Sequence, residues 1–132
     1  MTMTESEVPV STNTRRILVV EDDRAAARAL GRILSDAGYN PIVCHGGIEA
    51  LASARAEPPA AAMIDVHLPD LNGLILAQQI RQIVGKQIPL IMVSGDTSME
   101  TLNSLHHVGA TYFLSKPLNR KGLIEWMKEW IP

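Results

Sequence analysis

The sequence predicts an α/β domain in which five parallel strands alternate with five helices, a doubly wound (βα)5 sheet. Three observations carry this. Five short aliphatic runs recur along the 132 residues, and each is followed by a segment with helical period. The composition is 46% hydrophobic but only 4% aromatic, so the core must be built from aliphatic, Ala and Met side chains, as where helices cover both faces of a parallel sheet. The runs also end in reactive groups. Glu21-Asp22-Asp23, Asp65, Ser94 and Lys116 each follow one run, and parallel strands deliver their ends to one sheet edge, where open α/β sheets bind ligands.

Residues 1–14 are polar and aperiodic and read as a flexible tail before a domain at 15–132. Ile17 to Val20 is the first strand. Asp23 is a good N-cap for a helix whose Ala26, Ala27, Leu30, Ile33, Leu34 and Ala37 follow the 3.6 period, with Gly38 just past its end. Ile42-Val43-Cys44 reads as the second strand, and Gly47 to Ala56 as an Ala-rich helix stopped by Glu57-Pro58-Pro59. Ala60 to Ile64 is the third strand, with side chains small enough to demand close-packed helices. After the turn-rich Leu68-Pro69-Asp70-Leu71-Asn72-Gly73, Leu76, Ile80, Ile83 and Val84 mark a third helix ended by Gly85. Ile88 to Val93 is the fourth strand. Met99, Leu102, Leu105 and His106 with Val108 predict a fourth helix closed by Gly109, and Thr111 to Leu114 the fifth strand. Leu123, Met127, Trp130 and Ile131 form the apolar stripe of the last helix, flanked by Ile124 and Trp126.

Twelve basic and fourteen acidic residues give a net charge of −2, with no basic stripe or helix-turn-helix pattern, so nucleic acid is not expected as a direct partner. A lone Cys44 excludes an internal disulfide and reads as a small buried hydrophobe. His106-His107 point to different faces of a helix and His45 falls in a strand-to-helix loop, so no zinc pattern emerges. No apolar run reaches the roughly 20 residues of a membrane span, no signal-peptide pattern opens the chain, and a cytoplasmic location is the default.

Each strand-end group has a bland reading beside a chemical one. Asp23 caps a helix, and its acidic neighbours could simply be solvated. Asp65 could cap the turn after its strand, yet Pro69 and Asn72-Gly73 already supply turn chemistry there. Ser94 could cap the next helix, Lys116 could point to water, and Phe113 could be an ordinary strand aromatic. Glu21 and Asp22 are different: adjacent like charges at the end of an apolar strand should raise at least one pKa unless a cation sits between them and Asp65. A hard divalent cation answers that need.

Taken together, Ile-Leu-Val-Val-Glu-Asp-Asp (17–23), Met-Ile-Asp-Val-His-Leu-Pro-Asp-Leu-Asn-Gly-Leu (63–74), Ile-Met-Val-Ser-Gly (91–95) and Phe-Leu-Ser-Lys-Pro-Leu (113–118) resemble the receiver domains of bacterial two-component response regulators. The resemblance covers residues 15–131. It implies a flavodoxin-like fold with strand order 2-1-3-4-5, Asp65 as phosphoacceptor, and Ser94 and Lys116 as its catalytic partners. It further implies Mg²⁺ held by Asp22 and Asp65, by Glu21 through a water, and by the main-chain carbonyl of His67. Ser94 and Phe113 fall at the family's switch positions, and a cis Lys116-Pro117 bond is implied. His67 and Asp96 fall where side chains tune dephosphorylation: an acid at 96 can orient the hydrolytic water and a bulky His67 can shield the phosphoryl group.

The function this implies is a phosphorylation-dependent switch that takes its phosphoryl group from a sensor histidine kinase or histidine phosphotransfer protein. Its target would read the face formed by helix four, strand five and helix five. Such a protein modifies itself and is no enzyme towards other substrates. A competing reading is a haloacid-dehalogenase-like phosphatase with Asp65 as nucleophile. Those enzymes usually carry a second Asp two residues later, where this chain has His67, and need a later acidic pair, whereas here the acids precede Asp65. A flavodoxin-like redox protein fits less well, since no Ser/Thr/Gly-rich phosphate loop follows strand one.

Overall fold

The computed structural model describes residues 15–107 and 109–132. The predicted tail at 1–14 and Val108 lie outside the described residues. Five strands, β1 (Arg16–Val20), β2 (Asn40–Cys44), β3 (Ala61–Asp65), β4 (Leu90–Ser94) and β5 (Tyr112–Ser115), alternate with α1 (Arg24–Asp36), α2 (Gly47–Ala56), α3 (Gly73–Val84), α4 (Met99–His107) and α5 (Arg120–Trp130). All pairings are parallel and the order is β2-β1-β3-β4-β5, as expected.

The strands read as unbroken apolar runs because both sheet faces are covered, and their two-residue alternation sorts one run into two cores. Leu18, Val20, Ala62, Ile64, Leu90 and Met92 face α2, α3 and α4 through Ala50, Leu51, Leu76, Ala77, Ile80 and Leu105. Ile17, Val19, Ala61, Met63, Ile91 and Val93 face α1 and α5 through Leu30, Leu34, Leu123 and Met127. Both ends of α1 follow from sequence. Asp23 accepts from the Ala25 and Ala26 N–H groups at 3.0 and 3.2 Å, and Gly38 takes the left-handed φ of 98° beyond the C-cap. Gly85, itself the C-cap of α3, takes a φ of 85°.

The boundaries of all five strands shift by one or two residues from expectation, and two large apolar residues move outward. Trp130, placed in the α5 core stripe, is 54% exposed; it lies against Trp126, whose ring in turn stacks on Tyr112. Ile131, placed on the same stripe, is buried just past the helix. Met99 likewise is 71% exposed, because α4 buries its stripe only from Leu102 onward. Cys44 is buried as read, and burial pushes its thiol up to about 11, with Glu49 adding to the effect.

Candidate functional site

Strand register gathers the reactive groups. Val20 pairs with both Cys44 and Ile64, Asp65 with Val93, and Ser94 with Ser115, so the strands end level. Backbone bonds continue the ladder past those ends: Glu21 N–H donates to Cys44 O, Val66 N–H to Val93 O, and Lys116 N–H to Ser94 O. The first residues beyond the sheet are thereby held almost as firmly as the strands.

At this edge the carboxylates of Glu21, Asp22 and Asp65 each offer an oxygen within 4.8 Å of the others. Glu21 and Asp65 are buried; Asp22 is exposed. The Lys116 ammonium crosses from the far side, 2.8 Å from Glu21 Oε1 and 2.9 Å from Asp65 Oδ2. The Lys116-Pro117 bond is cis. Asp65 Oδ1 accepts the His67 N–H at 2.9 Å, so the predicted nucleophile also forms the turn that the bland reading assigned to it. Both of its oxygens thus have a fixed direction.

The electrostatics are unequal between partners. Burial pushes the Glu21 carboxyl above its usual range, and the Asp65 charge adds to this, although Lys116 and the Asp23 N–H oppose it. For Lys116, burial pulls downward, but hydrogen bonds to Glu21 and Asp65 outweigh it and hold the ammonium above its ordinary value. The cation is therefore secure, while Glu21 stays strained as an anion. Three carboxylates against one ammonium leave a formal charge of −2 at a half-buried edge. The donor set is all hard oxygen, which suits a hard divalent cation such as Mg²⁺ better than zinc or copper.

Ser94 is fully buried at the end of β4, and its Oγ accepts the Asp96 N–H at 3.0 Å, which leaves its own proton to donate. Gly95 has open space where a Cβ would lie, so nothing there closes the approach. Asp96 is committed locally: its carboxylate accepts from Ser98 N–H at 2.9 Å and Thr101 Oγ1 at 2.7 Å, and these bonds lower its pKa. His67 is exposed, and its nearby ring contributes to that lowering. Phe113 is half-buried on β5 beside a cleft of about 250 Å³ lined by Leu102, Leu105, Ala110 and Tyr112.

Sequence reasoning missed three supports. Asp70 reaches from the β3–α3 loop to accept from Gly47 N–H at 2.9 Å and Ile48 N–H at 3.2 Å, capping α2. His45 Nδ1 lies 3.1 Å from the Glu21 main-chain oxygen. Arg81 spans α3 and two loops, donating to Gly85 O, Ile88 O and Gly109 O at 2.6–2.8 Å. His45, Asp70 and the Arg81–Gly109 bond each join residues more than 20 apart in sequence.

Comparison with known proteins agrees with this geometry. Residues 17–128 match the family model for the response regulator receiver domain. The response regulator MprA of Mycobacterium avium is 35% identical over 113 residues, which is 86% of this chain and 49% of that protein, so the chain spans about half the length of the curated relatives it matches. Among solved structures, a CheY-like receiver domain protein of Methanospirillum hungatei superimposes with a TM-score of 0.84 at 32% identity, covering 89% of this chain and 93% of that one. The chemotaxis protein CheY4 of Vibrio cholerae gives 0.81 at 30% identity, covering 86% and 96%. These matches do not support the phosphatase alternative. With the receiver motifs spread over the matched length and their reactive groups converging on one sheet edge, the chain belongs to the response regulator receiver domain family.

Proposed function

We propose that this receiver accepts a phosphoryl group on Asp65 from a sensor histidine kinase or a histidine phosphotransfer protein. The observation that carries the reading is the Lys116 ammonium, which bridges Asp65 at 2.9 Å and Glu21 at 2.8 Å, two of the three carboxylates that could hold a cation. In the transfer an Asp65 carboxylate oxygen attacks phosphorus in line. The phosphorus–nitrogen bond of the donor imidazole breaks, and its electron pair returns to the ring. Phosphoryl transfer needs positioning and charge stabilisation more than covalent help, and Lys116 supplies a fixed positive charge for the phosphoryl oxygens. Ser94, with its proton unspent, donates to another of those oxygens. Asp22, Asp65, the His67 carbonyl and, through water, Glu21 would hold Mg²⁺, which supplies the second positive charge when bound.

His67 and Asp96, at the positions the family resemblance assigns to this role, would tune hydrolysis. Asp96, with its carboxylate already bonded to Ser98 N–H and Thr101 Oγ1 and its pKa lowered, is a weaker base than a free carboxylate. The downstream partner would read α4, β5 and α5, and a cytoplasmic location fits described helices of which none is long and apolar enough to cross a membrane. Incubation with acetyl phosphate and Mg²⁺, followed by intact mass, tests the assignment. A single phosphoryl adduct is expected, absent in Asp65→Asn and after EDTA. Full labelling of Asp65→Asn would overturn it.

A further inference from the structure

We infer that His45 is a positioning residue for the cation site, fixing the peptide bond that joins Glu21 to Asp22. The inference rests on the Mg²⁺ reading above. Its starting point is a ring nitrogen in an unusual place: His45 Nδ1 sits 3.1 Å from the main-chain oxygen of Glu21, across 24 residues of sequence. A carbonyl only accepts, so Nδ1 carries the proton and donates.

That contact completes a grip on one residue. Glu21 N–H donates to Cys44 O at 3.0 Å, and the neighbouring His45 ring takes the Glu21 carbonyl, so the end of β2 holds Glu21 by both of its backbone polar groups. The carbonyl of Glu21 and the N–H of Asp22 belong to one planar peptide unit. Fixing the first therefore fixes the direction in which Asp22 leaves the strand. Asp22 needs such help more than its neighbours: it is the exposed member of the three acids, whereas Asp65 and Glu21 are buried and bonded to Lys116.

His45 is itself held. Its N–H donates to Glu49 Oε1 at 3.0 Å, and Glu49 stands in the first turn of α2. α2 is in turn capped by Asp70 from the loop that follows Asp65. A closed path of hydrogen bonds thus runs from one side of the acidic cluster, through β2 and α2, to the other. On this path His45 supplies the side-chain hydrogen bond to the Glu21–Asp22 peptide, and it lies outside the four receiver motifs.

Direct Mg²⁺ binding to the full chain, followed by titration calorimetry, tests the inference alongside the thermal midpoint of each variant. His45→Ala, which has no donor, is expected to weaken Mg²⁺ binding about tenfold, the lower end of the loss seen when a group that orients metal ligands is removed. His45→Asn, whose amide can donate to the same carbonyl, is expected to restore most of it at an unchanged midpoint. His45→Phe, which keeps a ring without a donor, should resemble the Ala variant. Equal affinities in parent, Ala, Phe and Asn proteins would overturn the positioning role and leave the phosphoacceptor reading intact. A parent protein that binds no Mg²⁺ would overturn both.

Discussion

Glu21 shows how one residue can be costly to the fold and useful to the site. Its carboxyl is buried beside Asp65, and its pKa stands above the ordinary 4.5 even with Lys116 at 2.8 Å. A carboxyl whose folded pKa exceeds its unfolded value binds more protons in the folded state across the interval between the two. Its contribution to stability is present below 4.5 and is lost as pH rises through the raised value. At neutral pH the folded protein therefore carries the cost of an anion that burial disfavours. Glu21→Gln removes that charge at nearly constant shape and keeps an acceptor for Lys116. We expect Glu21→Gln to melt at a higher temperature than the parent at pH 7 without Mg²⁺. Its midpoint should also rise less when Mg²⁺ is added, since a ligand stabilises only in proportion to its binding to the folded state. Differential scanning fluorimetry at pH 7, with and without Mg²⁺, checks both halves. A lower midpoint for Glu21→Gln would mean that the Lys116 ion pair outweighs the burial of the acid.

At the scale of elements, the site depends on how closely α3 approaches the strand that carries the nucleophile. Gly73 opens α3 with its N–H donating to Val66 O at 2.9 Å, and a Cβ there would lie on the Asp65 carbonyl oxygen and 2.7 Å from Val66 Cα. Those obstacles are backbone and cannot swing aside. Gly73→Ala must therefore push α3 away from β3 or displace the Asp65 loop, and overpacking of this kind costs about 1–3 kcal/mol. Chemical denaturation should show that loss, with slower labelling by acetyl phosphate in the fraction that remains folded; a variant as stable as the parent would show that α3 can shift freely. Elements of this kind were legible in the sequence where their causes are local. Asp23, Gly38 and Gly85 announce helix ends because caps depend on neighbouring residues, and the Leu18/Val19 alternation announces two-sided burial. The convergence of Glu21, Asp65, Ser94 and Lys116 was legible too, since parallel topology alone carries strand ends to one edge. His45, Asp70 and the reach of Arg81 to Gly109 were not, because each acts on a backbone group brought near only by the fold. Trp130 misled for a related reason: helical period places it on the stripe with Ile131, but the helix ends at Trp130, and of the two only Ile131 is buried.

Across the whole molecule, the site at one sheet edge and the aromatic face on α5 are joined by β4, β5 and α4. Ser94 Oγ holds the Asp96 N–H, and the Asp96 carboxylate holds Ser98 and Thr101 at the start of α4. If Ser94 turns its hydroxyl to a phosphoryl oxygen, the loop that caps α4 moves with it. Phe113 stands next to the cleft that α4 lines, and the neighbouring Tyr112 ring stacks on Trp126 at 4.9 Å, with Trp126 against Trp130 at 6.0 Å. The chain's two tryptophans are these, both on α5 and neither in the acidic cluster. Tryptophan emission therefore reports only what has travelled from the site. Adding beryllofluoride with Mg²⁺, as a stand-in for the phosphoryl group, is expected to change that emission and to shift backbone NMR signals from Ser94 through Thr101 and across β5. Asp65→Asn should abolish both responses. Phe113→Ala, which removes the ring beside the cleft, should retain the shifts around Ser94 and reduce those on Tyr112 and Trp126, because coupling between sites requires an element with two arrangements that both sites bias. Shifts confined to the Asp65 loop in the parent protein, with unchanged emission, would show that the α4–β5–α5 face does not sense the acidic site.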